Sequence, residues 1–173
     1  MRWLLKNSLA GIEIGPKALK MAVIERLNSK WRLVHWDSVP LPDDTVKPAF
    51  KSPNVLNPED FISALQRLLD GYQGKIATAG LSLPSEIIRI LIREYPKLPE
   101  ARAETEKLIN WSLEKSFHFP IENTRVSYQP TGRDAAGNEN LLVTIGMKRV
   151  IQQFETLLAG QSVDARVVRP AGI

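Results

Sequence analysis

The chain has 173 residues, 43% of them hydrophobic, enough to bury a sizeable core in one large domain or two small lobes. Its 23 basic and 19 acidic residues leave a net charge of +4, without the concentrated basic block that nucleic-acid binding needs. There is no cysteine, which excludes disulfides, thiolate zinc sites and cysteine nucleophiles and permits a reducing compartment.

Met1-Arg2-Trp3-Leu4-Leu5-Lys6 is basic and apolar, but Lys6 and Asn7 end the run well short of a signal-peptide core. No later stretch is long enough to span a bilayer. The expected location is cytoplasmic, with an N-terminus able to brush a membrane or a partner. Leu9 to Ile14 and Leu19 to Ile24 are apolar and partly alternating, and Gly15-Pro16-Lys17 between them supplies a tight turn, so a β-hairpin opens the chain. Such a turn, with a lysine after it and a carboxylate before it, can also gather backbone N–H groups on a phosphate while the acid, here Glu13, positions hydrated Mg²⁺. On these residues alone an ordinary hairpin and a phosphate turn both stand.

Trp31 to Trp36 continues the alternation as a third antiparallel strand after the turn Asn28-Ser29-Lys30. Prolines at 40, 42, 48, 53 and 58 predict a surface crossing without regular structure, with Asp43-Asp44 as solvated loop. Asn57-Pro58-Glu59-Asp60 starts a helix with a cap, a first-turn proline and two acids at the positive dipole end. Its apolar stripe is Phe61, Ile62, Leu65, Leu68 and Leu69, ended by Gly71. Ile76 to Leu83 predicts a strand buried on both faces, closed by Pro84.

Glu86 to Tyr95 predicts a strand with Ile88, Ile90 and Ile92 on a core face and Arg89 and Arg93 on a wet one. A helix follows to about Ser116, with its stripe drawn from Thr105, Leu108, Ile109, Ser112 and Leu113 and with Trp111 at the edge. Thr124 to Gln129 and Leu141 to Gly146 predict a hairpin around the loop 132–138. A last helix from about Arg149 to Ala159 buries Val150, Ile151, Phe154, Leu157 and Leu158, and Ala165 to Val168 resumes a strand. The order β-α-β-β-α from Glu86 to Gly160 therefore sits between strands of the opening sheet, as an insertion whose ends, near Pro84 and Ser162, should be close together. Pro170-Ala171-Gly172-Ile173 follows the return strand without a closing helix, as expected of a fragment. His35 and His118 stand alone without donors at ligand spacing, so no metal held by protein alone is expected.

Gly11-Ile12-Glu13-Ile14-Gly15 with Lys20 resembles the first phosphate motif, G-I-D-I-G-S-S-S-V-K, of the PilM family of type IV pilus assembly proteins, relatives of the actin-like division protein FtsA. The resemblance extends through Leu83-Pro84-Ser85, the helix with Trp111 and the segment Phe119-Pro120-Ile121-Glu122 before a strand ending in Tyr128-Gln129. It continues through the strand Leu141–Gly146 and the helix behind it, and so covers essentially the whole chain in order.

The fold this resemblance implies is α/β: an actin-like (ribonuclease H-like) lobe, subdomain 1A, over 1–85 and 163–173, with an inserted α+β subdomain 1C over 86–162. Three departures bear on nucleotide binding. Glu13 replaces the family Asp, Pro16 removes a backbone N–H and Ala18 removes a hydroxyl. The implied nucleotide site is a vestigial half site of Glu13, Gly15, Pro16, Lys17, Ala18 and Lys20, with no catalytic residue. No cofactor is expected in this chain; ATP and Mg²⁺ would require a second half.

The family likeness implies a non-enzymatic cytoplasmic scaffold of pilus biogenesis, peripheral to the inner membrane through a PilN-type partner whose N-terminal tail it binds. An extended tail needs an apolar groove, expected beside the inserted unit with Tyr95, Trp111, Phe117 and Phe119 as anchors. Self-association is left open. The alternatives are an actin-like ATPase whose site is completed beyond Ile173, or a GspL-like cytoplasmic domain of type II secretion.

Overall fold

A computed structural model describes residues 8–117 and 119–171. The opening Met1–Lys6 segment, His118 and the terminal Gly172–Ile173 pair lie outside the described residues. The chain divides into two compact units, one of residues 1–87 and 150–173 and one of residues 88–149.

The first unit is built on β1 (Ser8–Ile14), β2 (Ala18–Leu27) and β3 (Lys30–Pro40), joined by tight turns as an antiparallel meander. Asn28 and Ser29 both take positive φ, the conformation of a two-residue turn whose twist matches its strands. β4 (Thr78–Leu83) and β8 (Asp164–Pro170) then add in parallel, giving the order β3-β2-β1-β4-β8.

Period-two alternation sends Ile12, Ile14, Leu19, Met21, Val23, Ala79, Leu81 and Leu83 to one buried face. Helices α1 (Pro58–Asp70) and α3 (Lys148–Gly160) supply the apolar residues that this face needs, and Phe61 of α1 meets Phe154 of α3 with ring centroids 6.3 Å apart. Asn57 caps α1 through the Asp60 N–H, as the N-terminal signal predicts. β4 departs from expectation. Only alternate residues of it are buried: Ala79, Leu81 and Leu83 are buried, whereas Gly80 and Ser82 are half-buried on the other face.

The proline-rich stretch is more ordered than expected. Val46 and Val55 form an antiparallel bridge, and Val46, Phe50 and Val55 are buried. Fully buried Asn54 holds the loop from inside: its side chain accepts from the Ala49 N–H and donates to the carbonyls of Ala49 and Ser52. Gln153 of α3 closes the arrangement, accepting from the N–H groups of Asn54 (2.8 Å) and Val55 (3.1 Å) and donating to the Val55 carbonyl.

The second unit is a three-stranded antiparallel sheet, β5 (Ile88–Tyr95), β7 (Glu139–Met147) and β6 (Thr124–Arg133), with β7 central, and helix α2 (Arg102–Glu114). Ile88 is buried and Arg89 exposed, as predicted, but from residue 90 to residue 93 the faces of β5 are opposite to those predicted. Leu91 and Arg93 pair with Val143 and Leu141, the fully buried face of β7, whereas Ile90 and Ile92 are exposed. The three isoleucines suggested the reverse, but register against the most apolar central strand decides the inward side.

Helix α3, grouped with the insertion in the sequence analysis, packs on the first unit. Parallel β4 and β8 require a crossover from the end of one to the start of the other, and α3 makes that return. For the same reason Pro84 and Ser162 flank opposite ends of the β4–β8 pair instead of lying together, about 20 Å apart for a six-residue strand. Truncating this contact should be costly: Phe154→Ala is expected to lower stability by about 3–5 kcal/mol, read as a shifted denaturant midpoint at unchanged slope.

Candidate functional site

The turn between β1 and β2 carries the residues expected to meet phosphate. Glu13 and Lys20 lie opposite each other in the β1–β2 register, and their side chains form an ion pair at 2.8 Å. The Gly15 N–H donates to the Ala18 carbonyl at 2.9 Å, Pro16 has no N–H to offer, and the Lys17 carbonyl accepts from the Leu41 N–H. Lys17 pairs with Asp43. That hydrogen bond and charge raise the Lys17 ammonium above its ordinary range and hold the Asp43 carboxyl below its own. Asp43, read as plain solvated loop, is therefore exposed but engaged.

All six predicted residues are brought together at one end of the hairpin. Their donors, however, are largely spent within the turn: the glycine N–H closes it, and each lysine already faces a carboxylate. A phosphate arriving here would have to displace Glu13 and Asp43 from their cations. Glu13 would stay as a negative neighbour of the phosphate unless a metal came with the nucleotide.

An open groove of about 630 Å³, not foreseen from the residues alone, lies on the face of the five-stranded sheet that carries Gly11 and Gly80. Register builds it. Trp36, Ala22, Gly11, Gly80 and Val167 form one row across five strands, so three small residues make a floor between two larger walls. A methyl group placed on Gly11 would meet nothing within 4 Å. The next row is polar, with Lys20, Glu13, Ser82 and Arg169 side by side. The small residues were visible in the sequence, but their alignment needed strand order.

The second unit holds the four predicted peptide anchors, in two different settings. Tyr95 is buried, and its hydroxyl is 2.8 Å from Ser112 Oγ, so it is a core residue with a satisfied polar tip. Trp111 is 55% exposed, with the Lys115 ammonium 3.6 Å from the ring centroid. Phe117 and Phe119 are half-buried, their centroids 5.1 Å apart, just beyond the end of α2. Sequence spacing could not separate Tyr95 from the others, because strand parity alone does not say which face is covered. The same unit has a polar cleft of about 380 Å³ where Glu106, Asn110 and Glu114, one stripe of α2, face Glu122, Tyr128 and Lys148.

No family model and no curated protein matches this chain. Among solved structures it is similar to a chain of the PilM-PilN type IV pilus biogenesis complex, at 20% identity and a TM-score of 0.78, covering 94% of this chain and 47% of that one. It is also similar to the cytoplasmic domain of EpsL, an inner-membrane component of the type II secretion system of Vibrio cholerae. That match has 12% identity and a TM-score of 0.59, over 94% of this chain and 57% of that one. The chain thus spans about half the length of these structures, and its fold is PilM-like and actin-like.

The chemistry of the turn gives a direct expectation. Calorimetric titration of the 173-residue chain with Mg-ATP should register no binding in the micromolar range. Low-micromolar binding that Lys17→Ala abolishes would show that the turn suffices by itself.

Proposed function

We propose that this chain is a cytoplasmic scaffold component of type IV pilus biogenesis that binds the N-terminal cytoplasmic tail of a PilN-type inner-membrane protein. The observation that carries this reading is the fold match over 94% of the chain to a structure of a pilus complex that contains PilM with PilN. In this reading the first unit corresponds to actin-like subdomain 1A and the second to subdomain 1C. In the tail-binding role the link to the membrane runs through the partner, in keeping with the finding that no helix among the described residues is long and apolar enough to cross a bilayer.

Exposed Trp111 in the last turn of α2 and half-buried Phe117 and Phe119 just beyond it support a peptide-binding role because they bring three aromatic rings to one helix end in the sequence. Aromatic rings contribute large contact area with few rotatable bonds, so they dominate peptide interfaces when a partner desolvates them. No reacting group is part of this reading. The paired state of Glu13, Lys17 and Lys20 favours a structural turn over a catalytic one.

A labelled peptide of the PilN-type tail, titrated by fluorescence polarisation, tests the reading. Trp111→Ala should weaken binding by about 2 kcal/mol, roughly thirtyfold in Kd, while the melting curve stays in place because the ring is mostly solvated. Phe119→Ala separates anchor from core: as an anchor it weakens the peptide with little change in stability, and as a core ring it costs about 3–5 kcal/mol of folding. Absence of any binding by the wild-type chain would refute the scaffold role proposed for it.

A further inference from the structure

From the hairpin formed by the free ends of β2 and β3 we infer a second function, direct docking on an anionic lipid surface. Five of the ten exposed large hydrophobic residues among the described residues fall in this one stretch: Leu27, Trp31, Leu33, Val34 and Trp36. Interleaved with them are Arg26, Lys30 and Arg32, and residues 26–36 contain no carboxylate. The two acids that flank the stretch are both engaged, Glu25 by the Tyr72 hydroxyl at 3.2 Å and Asp37 by the Ser38 N–H at 2.7 Å.

The register shows why a lipid interface fits better than a protein layer. Trp31 pairs with Arg26, Leu33 with Ile24 and Trp36 with Ala22, which places those three apolar side chains on the face of the groove. Leu27 pairs with Lys30 on the other face, and every residue from 26 to 34 is exposed. A helix or a sheet covers one side of a ribbon. A fluid interface surrounds both, taking indole and aliphatic groups at the headgroup boundary while guanidinium and ammonium groups meet lipid phosphates. Edge pairing with a second copy is opposed by the β-bulge where Val34 has no partner, a device that spoils an edge for strand addition. The two-residue turn at Asn28-Ser29 makes the hairpin end narrow enough to enter the headgroup layer.

This function is independent of the tail-binding role, and its test uses the full chain without any partner. The protein is sedimented with vesicles of phosphatidylcholine alone and of phosphatidylcholine doped with phosphatidylglycerol, at low and raised salt. Binding is expected on the anionic vesicles only and should fall as salt rises. With Trp3→Phe and Trp111→Phe in place, brominated lipid should quench the remaining hairpin tryptophans. Each base removed from the set Arg26→Ser, Lys30→Ser and Arg32→Ser should lower partitioning about fivefold. The double variant Trp31→Ser/Leu33→Ser should abolish quenching while circular dichroism and cooperative melting are retained.

Failure to bind anionic vesicles at low salt would overturn the inference. So would binding that survives the triple or the double substitution. Sedimentation velocity adds a further arm: a wild-type dimer that Trp31→Ser breaks, in a chain that ignores vesicles, would assign the patch to self-association and reject lipid docking.

Discussion

Two parallel neighbours in one sheet cannot be joined by a turn, and most of this molecule follows from that constraint at β4 and β8. The chain leaves the end of β4, forms an entire second unit, and must still travel back to the start of β8. α3 is that return path, and its apolar stripe makes it a wall of the core as well as a connector. Phe154 against Phe61 and Gln153 against the 54–55 backbone tie it to the first unit in two ways. The ring contact buries area without direction; the amide fixes register, because three hydrogen bonds are satisfied in only one position along the loop.

The same sheet has very different faces. One is filled by α1 and α3, and along residues 10–14 of β1 and along β4 it offers only apolar side chains. The other carries Gly11, Ala22 and Gly80 in a line, with Trp36 and Val167 at its sides and a charged row beyond. Small residues in the middle of a sheet forgo packing that larger ones would provide, so their alignment is notable as a place where another backbone can come close. This chain covers 47% and 57% of the two solved structures it resembles, and the groove lies on a surface of the part that it spans.

Charge in the β1–β2 turn is locally neutralised. Lys20 faces Glu13 and Lys17 faces Asp43, both pairs well exposed and so screened by solvent, worth little for stability. Their consequence is chemical: each cation already has an anion, and Pro16 withholds one donor, so an incoming phosphate would compete with two carboxylates for the lysines. At the opposite end of the same hairpin layer Arg26, Lys30 and Arg32 lie among exposed apolar residues with no carboxylate among them. Two regions of one antiparallel meander therefore present lysines and arginines in opposite electrostatic settings.

Several elements were legible in the residues alone. The first three strands follow from alternation and from turn residues, and α1 follows from its Asn-Pro-acid start and its stripe, because these signals are local and act within a few residues of one another. The motif resemblance led to a PilM-like, actin-like fold, which the solved structures support at low identity. What only tertiary structure decided was which side of each element is covered. Ile90 and Ile92 point outward because β7 offers its most apolar face to Leu91 and Arg93. Tyr95 sinks into the core while Trp111 stays in water. α3 joins the first unit because parallel strands demand a crossover. The groove exists because five strands align their small residues in one row. Each of these depends on register and strand order between segments far apart in the chain, and a period-two pattern specifies two faces without saying which of them another element will bury.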